Sequence, residues 1–358
     1  MARLVNHSFW SGRRVFLTGH TGFKGSWLAL WLHRMGARVT GYALPPPTQP
    51  SLFADAGIQD HLTHVEADVR DADQLRDAVA EAQPSIVLHL AAQALVREGY
   101  AQPAATFDTN IMGTVHLLEA ARLCPTVEAV VVVTSDKCYA NRDWVYGYRE
   151  TDRLGGADPY AASKACAELV ARSYQRSFFH DADAPALATA RAGNILGGGD
   201  WAVDRLVPDL MRGRLHETPV AIRSPRAVRP WQFVLDALAG YLMLAEHLVR
   251  DGAAAAEGWN FGPPRAAMQP VAHLVTAFQE AWPGPWTITH PSTPQPEETA
   301  MLRLDSTKAA TRLGWRPLLS LEDTLQWTVD WYRAFAEAQD MHEFTREQLA
   351  TYEQHLST

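Results

Sequence analysis

The sequence contains few cysteines and no patterned set of metal ligands. Its 358 residues include three cysteines, Cys124, Cys138 and Cys166, which are odd in number and unevenly spaced. They support neither a disulfide framework nor a zinc site. The histidines also lack the spacing of metal ligands. The sequence therefore predicts reduced, buried thiols and no bound metal.

Long hydrophobic runs and excess positive charge are missing as well. No segment is long enough to cross a membrane, and residues 1–10 lack the continuous apolar region of a signal peptide. The formal net charge of −8 argues against generic nucleic-acid binding, which requires a basic surface. A few local arginines could still hold a small anion. We therefore expect a cytoplasmic protein with a small-molecule ligand.

A glycine-rich turn near the start indicates dinucleotide binding. Val15–Leu17 is typical of a buried strand, and apolar residues at helical spacing follow from Trp27 to Met35. Glycines spaced three apart allow a tight turn and a close ligand, and helix-opening amides favour a pyrophosphate. An ordinary turn is the alternative, which the position between strand and helix disfavours. The predicted cofactor contacts are Gly19, His20, Thr21, Gly22, Phe23, Lys24 and Gly25.

Strands and helices alternate along the next hundred residues. Further strands are predicted at Arg38–Ala43, Val65–Arg70, Ser85–Leu90 and Ala129–Val133, and helices at Asp73–Ala82 and Thr106–Leu123. This alternation predicts an α/β fold with a doubly wound, Rossmann-type parallel sheet. Additional cofactor contacts are expected where strands end, at Asp68, Val69, Leu90, Ala91 and Ala92.

From about Asp200 the pattern changes to longer irregular stretches with several prolines and tryptophans. We therefore predict a cofactor-binding domain over residues 12–190. A smaller, mainly substrate-binding lobe is predicted over residues 191–340, interleaved with the first domain across a soft boundary.

The second predicted strand bears on the choice between NAD and NADP. In NAD-binding folds an acidic residue near the end of this strand usually holds the adenosine ribose, and here none is present. Arg38 lies at the start of the strand, where it is poorly placed to contact the 2′-phosphate of NADP. NAD remains the predicted cofactor.

A candidate catalytic pair follows Pro159. Tyr160 and Lys164 are four residues apart and share one helix face. The lysine ammonium and a positive nicotinamide would lower the tyrosine pKa from its reference near 10. The phenolate could then take a hydroxyl proton during hydride transfer. An exposed pair on an amphipathic helix is the alternative, and the glycine turn upstream disfavours it.

The glycine turn, the Tyr160–Lys164 pair and the chain length resemble the extended short-chain dehydrogenase/reductase family of nucleotide-sugar enzymes. Within it, four motifs resemble the 4,6-dehydratases that act on CDP-glucose: Thr18–Trp27, Thr134–Tyr139, Gly197–Trp201 and Arg229–Gln232. The likeness spans about residues 12–335. It implies an NAD-dependent lyase that makes CDP-4-keto-6-deoxyglucose for deoxysugar biosynthesis. It also implies a homodimer, or a dimer of dimers, formed through the helices at Thr106–Leu123 and Tyr160–Phe179.

The resemblance assigns roles to the end of the fifth strand. Tyr160 would remove the proton of the sugar 4-hydroxyl, Ser135 would hydrogen-bond the 4-oxygen, and Asp136 would act as the acid toward the C6 oxygen. Related dehydratases carry a glutamate base where this chain has Lys137. Lys137 is therefore either the C5 base, if burial and Lys164 lower its pKa, or a cation that stabilises the enolate or pairs with Asp136.

Substrate contacts are implied at Gln93, Asn194, Arg229 and Arg303. A guanidinium holds a pyrophosphate by paired hydrogen bonds, which suits a nucleotide sugar, although any single arginine is more often a surface charge. The same scaffold also supports 4-epimerases and reductases, and a non-catalytic dinucleotide sensor is a further alternative. Asp136 and Lys137 favour dehydration.

Overall fold

The strands of the computed structural model form one large sheet and two small ones. The structure describes residues 5–181, 183–290 and 301–357. Its strands are β1 Arg14–Thr18, β2 Arg38–Ala43, β3 Thr63–Glu66, β4 Ile86–His89, β5 Ala129–Val133, β6 Ala186–Ala192, β7 Asn194–Leu196, β8 Val220–Ala221, β9 Val228–Phe233, β10 Gly258–Phe261, β11 Met268–Pro270 and β12 Ile288–Thr289.

Seven parallel strands make the central sheet, in the order β10-β6-β5-β4-β1-β2-β3. The order reverses between β1 and β4, and in such sheets a ligand binds beyond the carboxyl ends at this point. The predicted Rossmann-type fold is therefore confirmed.

Helices cover both faces of the sheet. They are α1 His7–Trp10, α2 Phe23–Arg34, α3 Leu52–Asp55, α4 Ala72–Ala82, α5 Val96–Ala101, α6 Pro103–Phe107, α7 Gly113–Leu123, α8 Pro159–Ser177, α9 Leu206–His216, α10 Val234–Asp251, α11 Val271–Ala281, α12 Leu321–Ala336 and α13 Met341–Ser357. The predicted helix at Thr106–Leu123 consists of α6 and α7, joined by a wider helical turn over Asp108–Met112.

The core lies in two apolar layers, one on each face of the sheet. Within β1, Leu17 packs in the same layer as Trp27 of α2, whereas Phe16 packs in the opposite layer with Leu117 of α7. Every residue of β5 is buried. Burial on both faces explains why β5 is a continuous run of apolar residues rather than an alternating one.

The third strand is shorter than the sequence predicts. The prediction of a strand over Val65–Arg70 is wrong at its end, since β3 stops at Glu66. The carboxylate of Asp68 accepts a hydrogen bond from the backbone nitrogen of Arg70, and the carbonyl of Asp68 accepts one from that of Asp71. A turn built on Asp68 therefore ends the strand.

The late part of the chain contributes to both the small sheets and the large one. β11, β9 and β7 form one small sheet, and β12 and β8 the other. β10, more than sixty residues after β6, pairs with β6 at the edge of the central sheet. The described segments after residue 190 are thus interleaved with those before it, and the domain boundary itself stays a prediction.

Candidate active site

The glycine turn joins β1 to α2 at the carboxyl edge of the sheet. Gly19 has a φ of +76°, and a Cβ there would lie 2.7 Å from the backbone nitrogen of Ala91. A Cβ on Gly25 would overlap the carbonyl oxygen of Gly19. α2 begins after Gly22 without a side-chain cap, so no capping side chain covers its first amides. These features fit the pyrophosphate of a dinucleotide.

The ring of His20 does not line this turn. It is fully buried, its Nε2 lies 2.7 Å from Nδ1 of His64, and it packs edge-on against Phe53. A Cβ on Gly41 of β2 would lie 2.5 Å from the ring. Burial lowers the pKa of His20 to about 3, and the nearby His64 adds to the effect. Only the backbone of His20 is therefore placed to contact a cofactor.

The predicted strand-end contacts lie along the same edge. The amides of Leu90 and Ala91 both donate to the hydroxyl of Thr18, at 3.2 and 3.1 Å. Asp68 pairs with Arg70, with 2.6 Å between Oδ2 and Nη2. The remaining predicted contacts are half-buried or buried beside them: Thr21, Phe23, Val69 and Ala92.

Tyr160 and Lys164 lie in the first turns of α8. Asp158 caps this helix by accepting the amide of Ala161 at 2.9 Å, and Pro159 occupies the first helical position, which its fixed φ favours. Both candidate catalytic side chains are buried. The ammonium of Lys164 donates to the carbonyl of Val133 at the end of β5, at 3.2 Å. This contact ties the helix to the strand.

The low pKa predicted for Tyr160 depends on Lys164 together with a bound nicotinamide, and the protein alone supplies only the first. Burial raises the pKa of Tyr160 to about 12, against the opposing effects of the Ser135 hydroxyl and the positive charge of Arg205. Burial also lowers the pKa of Lys164 to about 8. A buried phenol loses the hydration that stabilises its anion. In the protein without cofactor, burial therefore outweighs the groups that favour the phenolate.

Ser135, Asp136 and Lys137 lie just after β5, from which only Thr134 separates them. The hydroxyl of Ser135 donates to Oδ1 of Asp136 at 3.0 Å and accepts the amide of Lys137 at 3.2 Å. Burial raises the pKa of Asp136, although Lys137, Ser135 and Arg229 act in the opposite direction. Asp136 is therefore suited to carry a proton. Lys137 is half-buried, and the choice between its two roles stays open.

The predicted substrate residues are only partly brought together. Asn194 begins β7 and pairs with Trp231 of β9. β9 also carries Arg229, whose positive charge acts to lower the pKa of Asp136. The side chain of Gln93 contacts Thr106 at 2.8 Å instead. Arg303 donates to the carbonyl of Val145 at 2.9 Å. Arg229 is thus close enough for its charge to act on the candidate acid, and Asn194 lies on the paired strand. Gln93 lies near Tyr160, since a Cβ on Gly99 would approach both Nε2 of Gln93 and the backbone nitrogen of Tyr160, whereas Arg303 holds the segment of Val145.

Arg205 is a site residue that the sequence pattern did not reveal. It lies just before α9, its Nη1 is 3.1 Å from Oδ2 of Asp200, and its charge lowers the pKa of Tyr160. Arg212, which lies within α9, pairs with Asp209 instead. No periodicity or motif distinguishes the two arginines, because only the folded path of the chain brings Arg205 to Tyr160.

The chain contains four lysines, and no lysine side chain is fully exposed. Lys24, Lys137 and Lys164 belong to the candidate site, and Lys308 pairs with Glu257 at 2.7 Å. Burial and the charges of Lys164 and Arg205 lower the pKa of Lys24 to about 7. Three of the four lysines thus lie in the candidate site, and apart from Lys308 the long basic side chains elsewhere in the chain are arginines.

Two classes of site find no support in the described residues. No group of three or more histidine, cysteine or acidic side chains there is arranged to hold a metal. No helix in the described segments is long and apolar enough to cross a membrane. The three cysteines are free thiols, with Cys166 half-buried rather than buried.

Comparison with known proteins gives consistent relatives. A family model described as GDP-mannose 4,6 dehydratase matches residues 16–328. CDP-glucose 4,6-dehydratase of Salmonella typhimurium is 47% identical over 98% of each chain. The crystal structure of Thermus thermophilus UDP-glucose 4-epimerase with NAD superposes with a TM-score of 0.77, 25% identity and coverage of 89% of this chain and 99% of the other. dTDP-glucose 4,6-dehydratase from Streptomyces venezuelae gives a TM-score of 0.76 at 24% identity, covering 91% and 98%.

Proposed function

The chain belongs to the GDP-mannose 4,6 dehydratase family, and we propose that it is a CDP-glucose 4,6-dehydratase with NAD as its cofactor. The observation that carries dehydration is Asp136, a buried acid whose pKa burial raises, placed beside Tyr160. A 4-epimerase needs the tyrosine and lysine but has no leaving water to protonate. The full-length likeness to the Salmonella enzyme supports CDP-glucose as the sugar nucleotide.

The residues divide the reaction among them. When held by the glycine turn and the neighbouring strand ends, NAD would supply the redox chemistry, oxidation at C4 of the sugar and later reduction at C6. Tyr160 takes the proton of the 4-hydroxyl, while Ser135 hydrogen-bonds the 4-oxygen. The resulting ketone acidifies the C5 proton. Asp136 then donates a proton to the C6 oxygen, which leaves as water.

Lys137 and Lys164 complete the proposed machinery. Lys137 either takes the C5 proton or stabilises the enolate that forms when this proton leaves. A proton must return to C5 as C6 is reduced, which gives the 4-keto-6-deoxy product. The ammonium of Lys164 favours the phenolate of Tyr160. The glycine turn, Asp68, Val69 and Leu90–Ala92 would hold the cofactor, and Asn194 and Arg229 the nucleotide sugar.

The proposal is tested by supplying purified protein with NAD⁺ and CDP-glucose and following the absorbance of a 4-keto-6-deoxy sugar in base. NADP⁺ is run in parallel, since β2 ends without an acidic residue. We expect product with NAD⁺ and CDP-glucose, and its loss in Tyr160→Phe. Product from dTDP-, UDP- or GDP-glucose instead of CDP-glucose would overturn the assignment of the nucleotide. Absence of a ketosugar with every sugar nucleotide would overturn the assignment as a lyase.

We also propose that the protein is cytoplasmic and forms a homodimer. Large apolar side chains are exposed on two neighbouring segments, residues 103–123 and residues 159–178: Phe107, Met112, Leu123, Leu169 and Phe178. Pairing these segments with their copies would bury them. Leu169→Asp should halve the mass measured by light scattering, whereas Val203→Asp, an exposed apolar side chain elsewhere, should not. An unchanged mass in Leu169→Asp would place the interface on another surface.

A further inference from the structure

A buried ion pair lies behind the candidate catalytic helix. Nη2 of Arg191 on β6 is 2.6 Å from Oε2 of Glu168 on α8, and the two side chains are 5% and 3% exposed. Two hydroxyls also donate to the carboxylate of Glu168, Thr134 at 2.5 Å and Thr189 at 2.7 Å. Both oxygens of this carboxylate are therefore hydrogen-bonded, which a buried charge requires.

The contacts of Glu168 connect the two elements that carry the chemistry. Thr134 lies between Val133, whose carbonyl accepts the ammonium of Lys164, and Ser135. Glu168 follows Lys164 by four residues on α8, so both side chains lie on one helix face. A single carboxylate thus fixes the helix of Lys164 against the end of β5.

The other side of the pair reaches the turn after β5. Nη1 of Arg191 donates to the hydroxyl of Tyr139 at 2.6 Å, and this hydroxyl donates to Oδ1 of Asn260 on β10 at 2.7 Å. A Cβ on Gly258 would lie 2.5 Å from Nη2 of Arg191, so glycine there leaves room for the guanidinium. The network therefore joins α8, β6, β10 and the segment that carries Asp136.

We propose that Glu168 is a positioning residue that holds Lys164 in register with the end of β5 and supplies the negative charge that keeps its side chain an ammonium ion. The inference rests on the proposed function, because it concerns the same site. None of the contacts of Glu168 described above is to Tyr160, so it would act through Lys164.

The charges around Lys164 give the direction of the effect. Burial lowers the pKa of Lys164, and Glu168 is the strongest influence that raises it. The other titratable groups that face Lys164 are Cys138 of the turn, Lys24 of α2 and His89 of β4. Burial raises the pKa of the Cys138 thiol and lowers that of His89 to about 3, so both are neutral near pH 7. Loss of the Glu168 charge should therefore favour the neutral amine of Lys164.

The test follows Lys164 directly by NMR of protein labelled with ¹³C-lysine, with and without added NAD. The four lysines give four Cε signals, and the one missing in Lys164→Arg identifies Lys164. In Glu168→Gln, which keeps an acceptor for Thr134, its titration midpoint should fall by about one pH unit. The alkaline limb of kcat/KM should fall with it, while kcat/KM near pH 6.5 stays within a few-fold of wild type.

Two further variants control for folding and for the network. The double variant Glu168→Gln, Arg191→Gln leaves no unpaired buried ion. It should also lower the titration midpoint of Lys164. Glu150→Gln alters another carboxylate of the network, which accepts the amide of Asn260 at 3.0 Å, and should leave the midpoint unchanged. A folded Glu168→Gln protein with a wild-type midpoint would overturn the inference. Absence of ketosugar from the wild-type protein would instead overturn the proposed function, and the lysine titration would still decide the role of Glu168.

Discussion

Asp136 is the residue on which the choice between dehydration and simple redox chemistry depends. Replacing it with Asn preserves its shape and its contact with Ser135 but removes the proton that the leaving oxygen needs. We expect Asp136→Asn to lower kcat for ketosugar formation by about 10²–10⁴-fold, the usual contribution of a general acid. The measurement is single-turnover product formation from CDP-glucose. A decrease of less than about tenfold would remove Asp136 from the mechanism.

At the scale of elements, the packing of α2 against β1 depends on one glycine of the turn. A Cβ on Gly25 would overlap the carbonyl oxygen of Gly19, whereas one on Gly22 would lie 3.5 Å from it, an ordinary contact. Gly25→Ala should therefore lower the free energy of unfolding by about 1–3 kcal/mol, and Gly22→Ala should lower it far less. Urea unfolding of both variants without cofactor measures the difference. Equal stabilities would show that the helix can shift to accept the methyl group.

The elements also show how far the sequence determines the site. Spacing alone places Tyr160 and Lys164 on one face of α8, and the end of an apolar run places Ser135 and Asp136 at the edge of the sheet. Local patterns do not predict the contact of Arg205 with the site or the enclosed ring of His20. These depend on the path of segments far apart in sequence, such as β2 and β3 closing around His20. The residue at which β3 ends is also not predictable from apolar periodicity, because the turn that follows it is held by the side chain of Asp68.

At the scale of the whole molecule, a buried carboxylate links the last helix to the core. Oδ1 of Asp236 on α10 accepts the hydroxyl of Tyr352 on α13 at 2.6 Å and the amide of Leu318 at 2.7 Å. Burial raises the pKa of Asp236 from 3.8 to about 6. The folded state thus favours the protonated acid, and this contribution is complete below pH 3.8 and lost as the pH rises through 6.

Asp236→Asn removes this pH-dependent contribution. The free energy of unfolding of the wild type, relative to the variant, should therefore fall by about 2 kcal/mol between pH 4 and pH 7. Denaturant unfolding of both proteins across this range gives the difference, and the exposed Asp77→Asn serves as the control. A constant difference between wild type and Asp236→Asn would mean that Asp236 titrates normally in the folded protein.

The edge strand β10 has a consequence for synthesis on the ribosome. The first six strands of the central sheet emerge by residue 192, but the strand that pairs with β6 begins at Gly258. Until that segment leaves the exit tunnel, β6 presents an unpaired edge, which is the kind of surface that recruits other chains. A nascent chain stalled after β6 has left the ribosome but before β10 has done so should therefore require chaperone protection. Emergence of Phe261 from the tunnel should end that requirement.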